Sequence, residues 1–62
     1  MKYVVVEKKD RYEMVHDPFF PLKTVDEAKE FARIDLGVSP FDWEHVDGVL
    51  RAENFEIRRV ES

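Results

Sequence analysis

The chain contains no cysteine. That removes disulfide cross-links and every thiolate metal site, and it fits a reducing compartment without requiring one. Glycine occurs only at Gly37 and Gly48, too seldom to build a phosphate-cradling loop. Serine is confined to Ser39, which precedes a proline, and the terminal Ser62. No nucleophile–base set is therefore visible, and a non-enzymatic protein without cofactor or metal is expected. The apolar run at the N-terminus is only Tyr3 to Val6. It is too short for a signal peptide or a membrane span, so a soluble, cytoplasmic protein is expected.

What is present describes one small domain spanning residues 1–62. A chain of this length buries only about 60% of the surface its unfolded form exposes, so its stability is marginal. A hydrophobic fraction of 44%, with eight aromatic residues, is enough for a packed core. The net charge of −4 argues against broad phosphate contact, which needs lysine and arginine to displace counterions.

Tyr3 to Glu7 and Tyr12 to His16 carry the alternation of two strands separated by "EKKDR". With Lys9 and Asp10 as the turn, Glu7 faces Tyr12, Val5 faces Met14 and Tyr3 faces His16. One face of the hairpin then carries Tyr3, Val5, Tyr12, Met14 and His16, and the other Val4, Val6 and Val15. The turn lacks the favoured Asn-Gly or Asp-Gly pair, which leaves room for a longer loop. "DPFFPL" ends the hairpin, because Pro18 and Pro21 cannot donate to a ladder. Asp17 to Lys23 reads as a connection, with Phe19 or Phe20 tucked under the following helix.

"TVDEAKEFARIDLG" is the clearest element. Thr24 and Glu27 form a capping box, and Gly37 supplies a left-handed stop. Val25, Ala28, Phe31, Ala32 and Leu36 share one stripe. Asp35 falls inside that stripe and Ile34 at its margin. Either the helix distorts before Gly37, with fraying of the last turn the expected form, or Asp35 is half-buried with a partner and Ile34 is exposed; an exposed Ile34 would point to a partner surface. Beyond it, Ser39-Pro40 suits a helical turn, whereas Asp47-Gly48 signals a hairpin between Trp43–Val46 and Val49–Ala52. Pattern alone does not choose between strand and helical turn at 40–46. Glu53-Asn54 reads as a turn before the last strand, "FEIRRV", which places Phe55 and Ile57 on one face. The fold class is α+β: a single antiparallel sheet of four to five strands, order ββαββ, with one helix packed on one face.

Within "FDWEHVDG", Asp42, Glu44 and His45 have the residue types of a metal or acid–base site. As a strand, His45 lies opposite Asp42 and Glu44; as a helix, only Asp42 neighbours it. Neither arrangement converges the three or four ligands a metal needs. Trp43 reads as a core or rim anchor.

If the valine face meets the helix, the face carrying Tyr3, Tyr12, Met14 and His16, beside Arg58, is open. It then has the composition of a protein-binding patch, or is the half-apolar outer face that a thin sheet cannot avoid. A homodimer through this face or an edge strand is one form of the binding reading. Open-face aromatics with a basic turn at Lys8, Lys9 and Arg11 also match a small nucleic-acid-binding domain, the alternative reading.

A hairpin followed by "TVDEAKEFA" and a terminal "FEIRRV" resembles the T7-like phage inhibitors of bacterial RNA polymerase. The resemblance covers Thr24 to Ala32 and Phe55 to Val60. It implies a non-enzymatic, phage-type modulator of a host enzyme, at work in the host cytoplasm. It further implies contact between last-strand arginines and an acidic protein surface. Arg59 matches one such position. Glu61 reverses the charge at the next, and "DLGVSPFDWEHVDGVLRAEN" replaces a shorter connection. The partner-binding candidates are therefore Tyr3, Tyr12, Met14, His16, Arg58 and Arg59.

Overall fold

A continuous run of three valines in β1 (Lys2–Lys8) and apolar–charged alternation from Phe55 to Arg58 in β5 (Phe55–Val60) produce the two longest strands. They lie side by side, antiparallel, from Lys2↔Val60 to Glu7↔Phe55. In the computed structural model, which describes residues 1–61, three shorter strands complete the sheet: β2 (Glu13–His16), β3 (Glu44–Val46) and β4 (Val49–Ala52). The order is β2-β1-β5-β4-β3, with every pairing antiparallel. A single helix, α1 (Val25–Leu36), packs on one face. The fold is the α+β arrangement expected, with five strands.

The alternatives at 40–46 occupy successive residues. Pro40–Asp42 forms one 3-10 turn, capped by the Ser39 hydroxyl, which accepts from the Phe41 amide at 3.3 Å. β3 follows at once. Asp47 and Gly48 take φ of 53° and 80° and close the β3–β4 hairpin. Glu53-Asn54 closes the next, with Glu53 itself at φ 56°.

α1 begins at the expected capping box. The Thr24 hydroxyl accepts from the Glu27 amide at 3.1 Å, and Glu27 accepts from the Thr24 amide at 3.2 Å. The helix ends at Gly37, φ 70°. Its last turn does not fray. Regular helix continues to Leu36, and Asp35, although it falls within the stripe, is exposed together with Ile34, which is 63% exposed.

The hairpin register differs from expectation by two residues: Glu7 faces Met14 and Val5 faces His16. A four-residue loop, with the Lys9 amide bonded to the Tyr12 carbonyl at 2.8 Å, replaces the tight turn. Because the shift is two, each side chain keeps its face. What changes is which face is covered. The helix packs on the Tyr3–Val5–Ile57 face, not on the valine face. Val5, Ile57 and Ala52 meet Ala28 and Ala32 there, with Leu22 and Val38 sealing the sides. Ala28 and Ala32 are fully buried, so the helix approaches the sheet through methyl groups, and Tyr3, Phe31, Leu36, Trp43, Leu50 and Phe55 pack against this core partly buried.

Neither Phe19 nor Phe20 slips under the helix. Leu22 does, at 2% exposure, and its carbonyl accepts from the Tyr3 amide at 2.8 Å. Leu22 thus resumes the pairing along β1 that His16 leaves, and Asp17–Pro21 is thrown out as a five-residue bulge. A Lys2–Asp17 ion pair of 2.8 Å staples its start.

Candidate functional site

The bulge and the helix enclose a groove of about 410 Å³. Its floor and walls are Phe20, Pro21, Leu22, Phe31 and Ile34. Phe20 and Phe31 meet edge to face, ring centroids 6.2 Å apart, yet Phe20 remains 54% exposed. Phe19, beside it on the bulge, is wholly exposed. Every charged side chain lining the groove is an acid: Glu27, Glu30 and Asp35. Glu30 pairs with Arg33, which holds its carboxyl below the usual range. Glu27 is turned toward the helix start, accepting from the Lys23 amide at 2.6 Å.

The six candidates from the sequence do not form one surface. Tyr12 projects from the β1–β2 loop, and Met14 lies on edge strand β2; both are exposed. His16, half-buried on the same strand, bonds Glu7 at 3.0 Å and stacks obliquely on Phe55. The Glu7 carboxyl is held below its ordinary range, first by Lys9 and then by His16. Tyr3 is half-buried against the core, opposite Arg59 at the far end of β1. Arg59 is exposed on the Phe55 face, as alternation requires, and pairs with Glu61 at 2.9 Å.

Arg58 lies on the opposite face, the one the helix leaves open. There it bonds Glu13 at 3.1 and 2.8 Å and Glu56 at 2.6 Å. Glu13 first, then Glu56, raises the Arg58 pKa further above its ordinary value. Lys8 and Arg51 approach the other oxygen of Glu56 at 3.5 and 3.4 Å. The open face is a lattice of long ion-paired side chains over Val4 and Val6, which are 6% and 1% exposed. It carries no aromatic residue among those described. The sheet aromatics Tyr3, Trp43 and Phe55 all pack against the core on the helix side, so the base-stacking platform of the nucleic-acid reading is not on the open face.

His45 is exposed on β3, on the face of its partner Leu50. Trp43 packs against the core, and its indole N–H is buried without a hydrogen-bond partner among the described residues. No group of three or more His, Asp or Glu arranged to hold a metal ion occurs among the described residues. No helix among them is long and apolar enough to cross a membrane.

No family model, curated protein or solved structure matches the chain. The groove residues Phe20, Phe31 and Ile34 were not among the candidates, although two of their signals stand in the sequence. Phe19-Phe20 sits between two prolines, and Ile34 lies at the margin of its helix stripe.

Proposed function

We propose that this chain is a non-enzymatic module that binds another protein, and that it does so through the groove between α1 and the Asp17–Pro21 bulge. The exposed pair Phe20 and Ile34 carries the reading. Apolar side chains that line one concavity, rather than being scattered singly, mark contact sites. Pro18 and Pro21 fix two backbone angles of the bulge, which lowers the ordering cost of using Phe19 and Phe20 as anchors. The likeness of the helix start and last strand to phage inhibitors of a host polymerase supports a finer version, a phage-type or mobile-element modulator of a host enzyme. Arg59, exposed on the terminal strand, is available for that contact.

The experiment is a comparative capture from a cell lysate with the wild type, Phe20→Ser/Ile34→Ser, and Tyr12→Ser/Met14→Ser. All three should keep the wild-type circular dichroism spectrum. Loss of the partner only in the first variant supports the groove. Loss only in the second moves the contact to the β2 edge, and equal capture by all three overturns both.

A further inference from the structure

The groove's charge pattern says what kind of segment fits it, and this inference rests on the binding reading above. Along α1, Glu27, Phe31 and Asp35 form one row at intervals of four, and Glu30 and Ile34 form the next. The apolar residues therefore occupy the middle, with carboxylates toward both ends. Asp35 has no hydrogen-bond or ion-pair partner among the described residues. It also sits in the last helical turn, where the carbonyl dipoles already present negative charge, so it disfavours its own helix end. A cation placed there would meet both the carboxylate and the dipole. Arg33, in the same last turn, is paired with Glu30 instead, and at the other end Glu27 remains acidic while it accepts from the backbone. From Glu27 to Asp35 the helix rises about 12 Å, the span of about four extended residues or two helical turns.

We infer that the groove takes a short segment of a partner protein in which two or three apolar side chains are flanked on both sides by lysine or arginine. Phe20, Phe31 and Ile34 receive the apolar side chains, and Asp35 at one end and Glu27 at the other receive the cations. Electrostatics of this kind govern partner choice and encounter rate more than total affinity.

The test is selection of a display library of short random peptides on the full chain, with Ile34→Ser as counter-target. The recovered peptides are then measured against wild type, Asp35→Asn and Asp35→Lys. The expected sequences carry an apolar centre with basic flanks. Their affinity should fall in the order wild type, Asn, Lys, by about tenfold in all, and weaken with added salt. All three proteins should share one circular dichroism spectrum, since Asp35 is exposed. Recovered peptides that need Ile34 but are neutral or acidic would overturn the charge assignment while leaving the binding groove standing. A library yielding nothing that depends on Ile34 would remove the groove itself. Concentration-dependent dimers abolished by Ile34→Ser would replace the partner with a second copy of the chain.

Discussion

Arg58 on β5 reaches across β1 to grip both carboxylate oxygens of Glu13 on β2, while its Nε–H donates to Glu56 on its own strand. Val6 lies between them on the intervening strand, paired on one side with Val15 and on the other with Glu56. It is sealed at 1% exposure although no helix covers that face. The ion pairs are the roof of a second, thin apolar layer.

Removing that roof costs more than an ordinary surface salt bridge. Arg58→Ala strips a nearly buried carboxylate of its closest donor and uncovers Val6. A loss of about 1.5–3 kcal/mol is expected. Arg58→Met keeps an apolar stem over the valine and should lose less. Urea unfolding of the two variants separates cover from charge; identical midpoints would mean the stem contributes nothing.

Acid should destabilise the protein through the same group. Arg58 first, with Lys8 and Arg51 after it, holds the Glu56 carboxyl below its ordinary value of 4.5. The Glu13 carboxyl is likewise held down by Arg58. A carboxyl depressed in the folded state stabilises that state above its unfolded pKa, and the contribution is lost as pH falls through the folded pKa. Stability should therefore be level above about pH 5 and fall below about pH 4.5. Glu56→Gln should be less stable at neutral pH and show a shallower acid limb in thermal melts. An unchanged acid limb would show that Glu56 is not a principal acid-sensitive group.

The two positive-φ hairpin turns make opposite predictions. Glu53 holds φ 56° with a full side chain. Glu53→Gly relieves that strain, less the added unfolded-state entropy, for a net gain of about 0.5–1 kcal/mol. Gly48 holds φ 80°, and a Cβ added there would meet nothing within 4 Å. Gly48→Ala should thus cost only the backbone penalty, about 1–2 kcal/mol, with no clash. Each kcal/mol moves the melting temperature by about 4–8 °C in a domain of this size.

Along "DPFFPL", apolar residues separate by role. Leu22→Ala opens a void under the helix and should cost about 2–5 kcal/mol. Phe19→Ser should change stability by no more than about 0.5 kcal/mol, because the side chain is wholly exposed. A large loss from Phe19→Ser would place that ring in the core and withdraw it as an anchor.

Local chemistry was legible where it is self-contained. Thr24 with Glu27, Gly37, Ser39-Pro40, Asp47-Gly48 and Glu53-Asn54 each act through backbone angles or orphan amides within four residues, and each appears where its residue types placed it. The β1–β2 register was not legible, since "EKKDR" contains no residue that selects one turn. The groove was not legible either, because it joins Phe20 to Ile34 across two elements whose separation depends on packing.

By itself the sequence determined the capped helix, the Asp47-Gly48 and Glu53-Asn54 turns, and the alternation along β1, β2, β4 and β5, all consequences of short-range sterics and hydrogen bonding; 40–46 stood open between strand and helical turn. Only the tertiary structure decided which face the helix covers. Alternation makes the Tyr3–Val5 face and the Val4–Val6 face comparably apolar. The choice falls to what is distant in sequence: Ile57, Ala52 and Leu22 complete a core on one side, while Arg58, Glu56 and Glu13 can shield valines on the other by ion pairing. That choice carried Tyr3 into the edge of the core and left Phe20 and Ile34 at the surface.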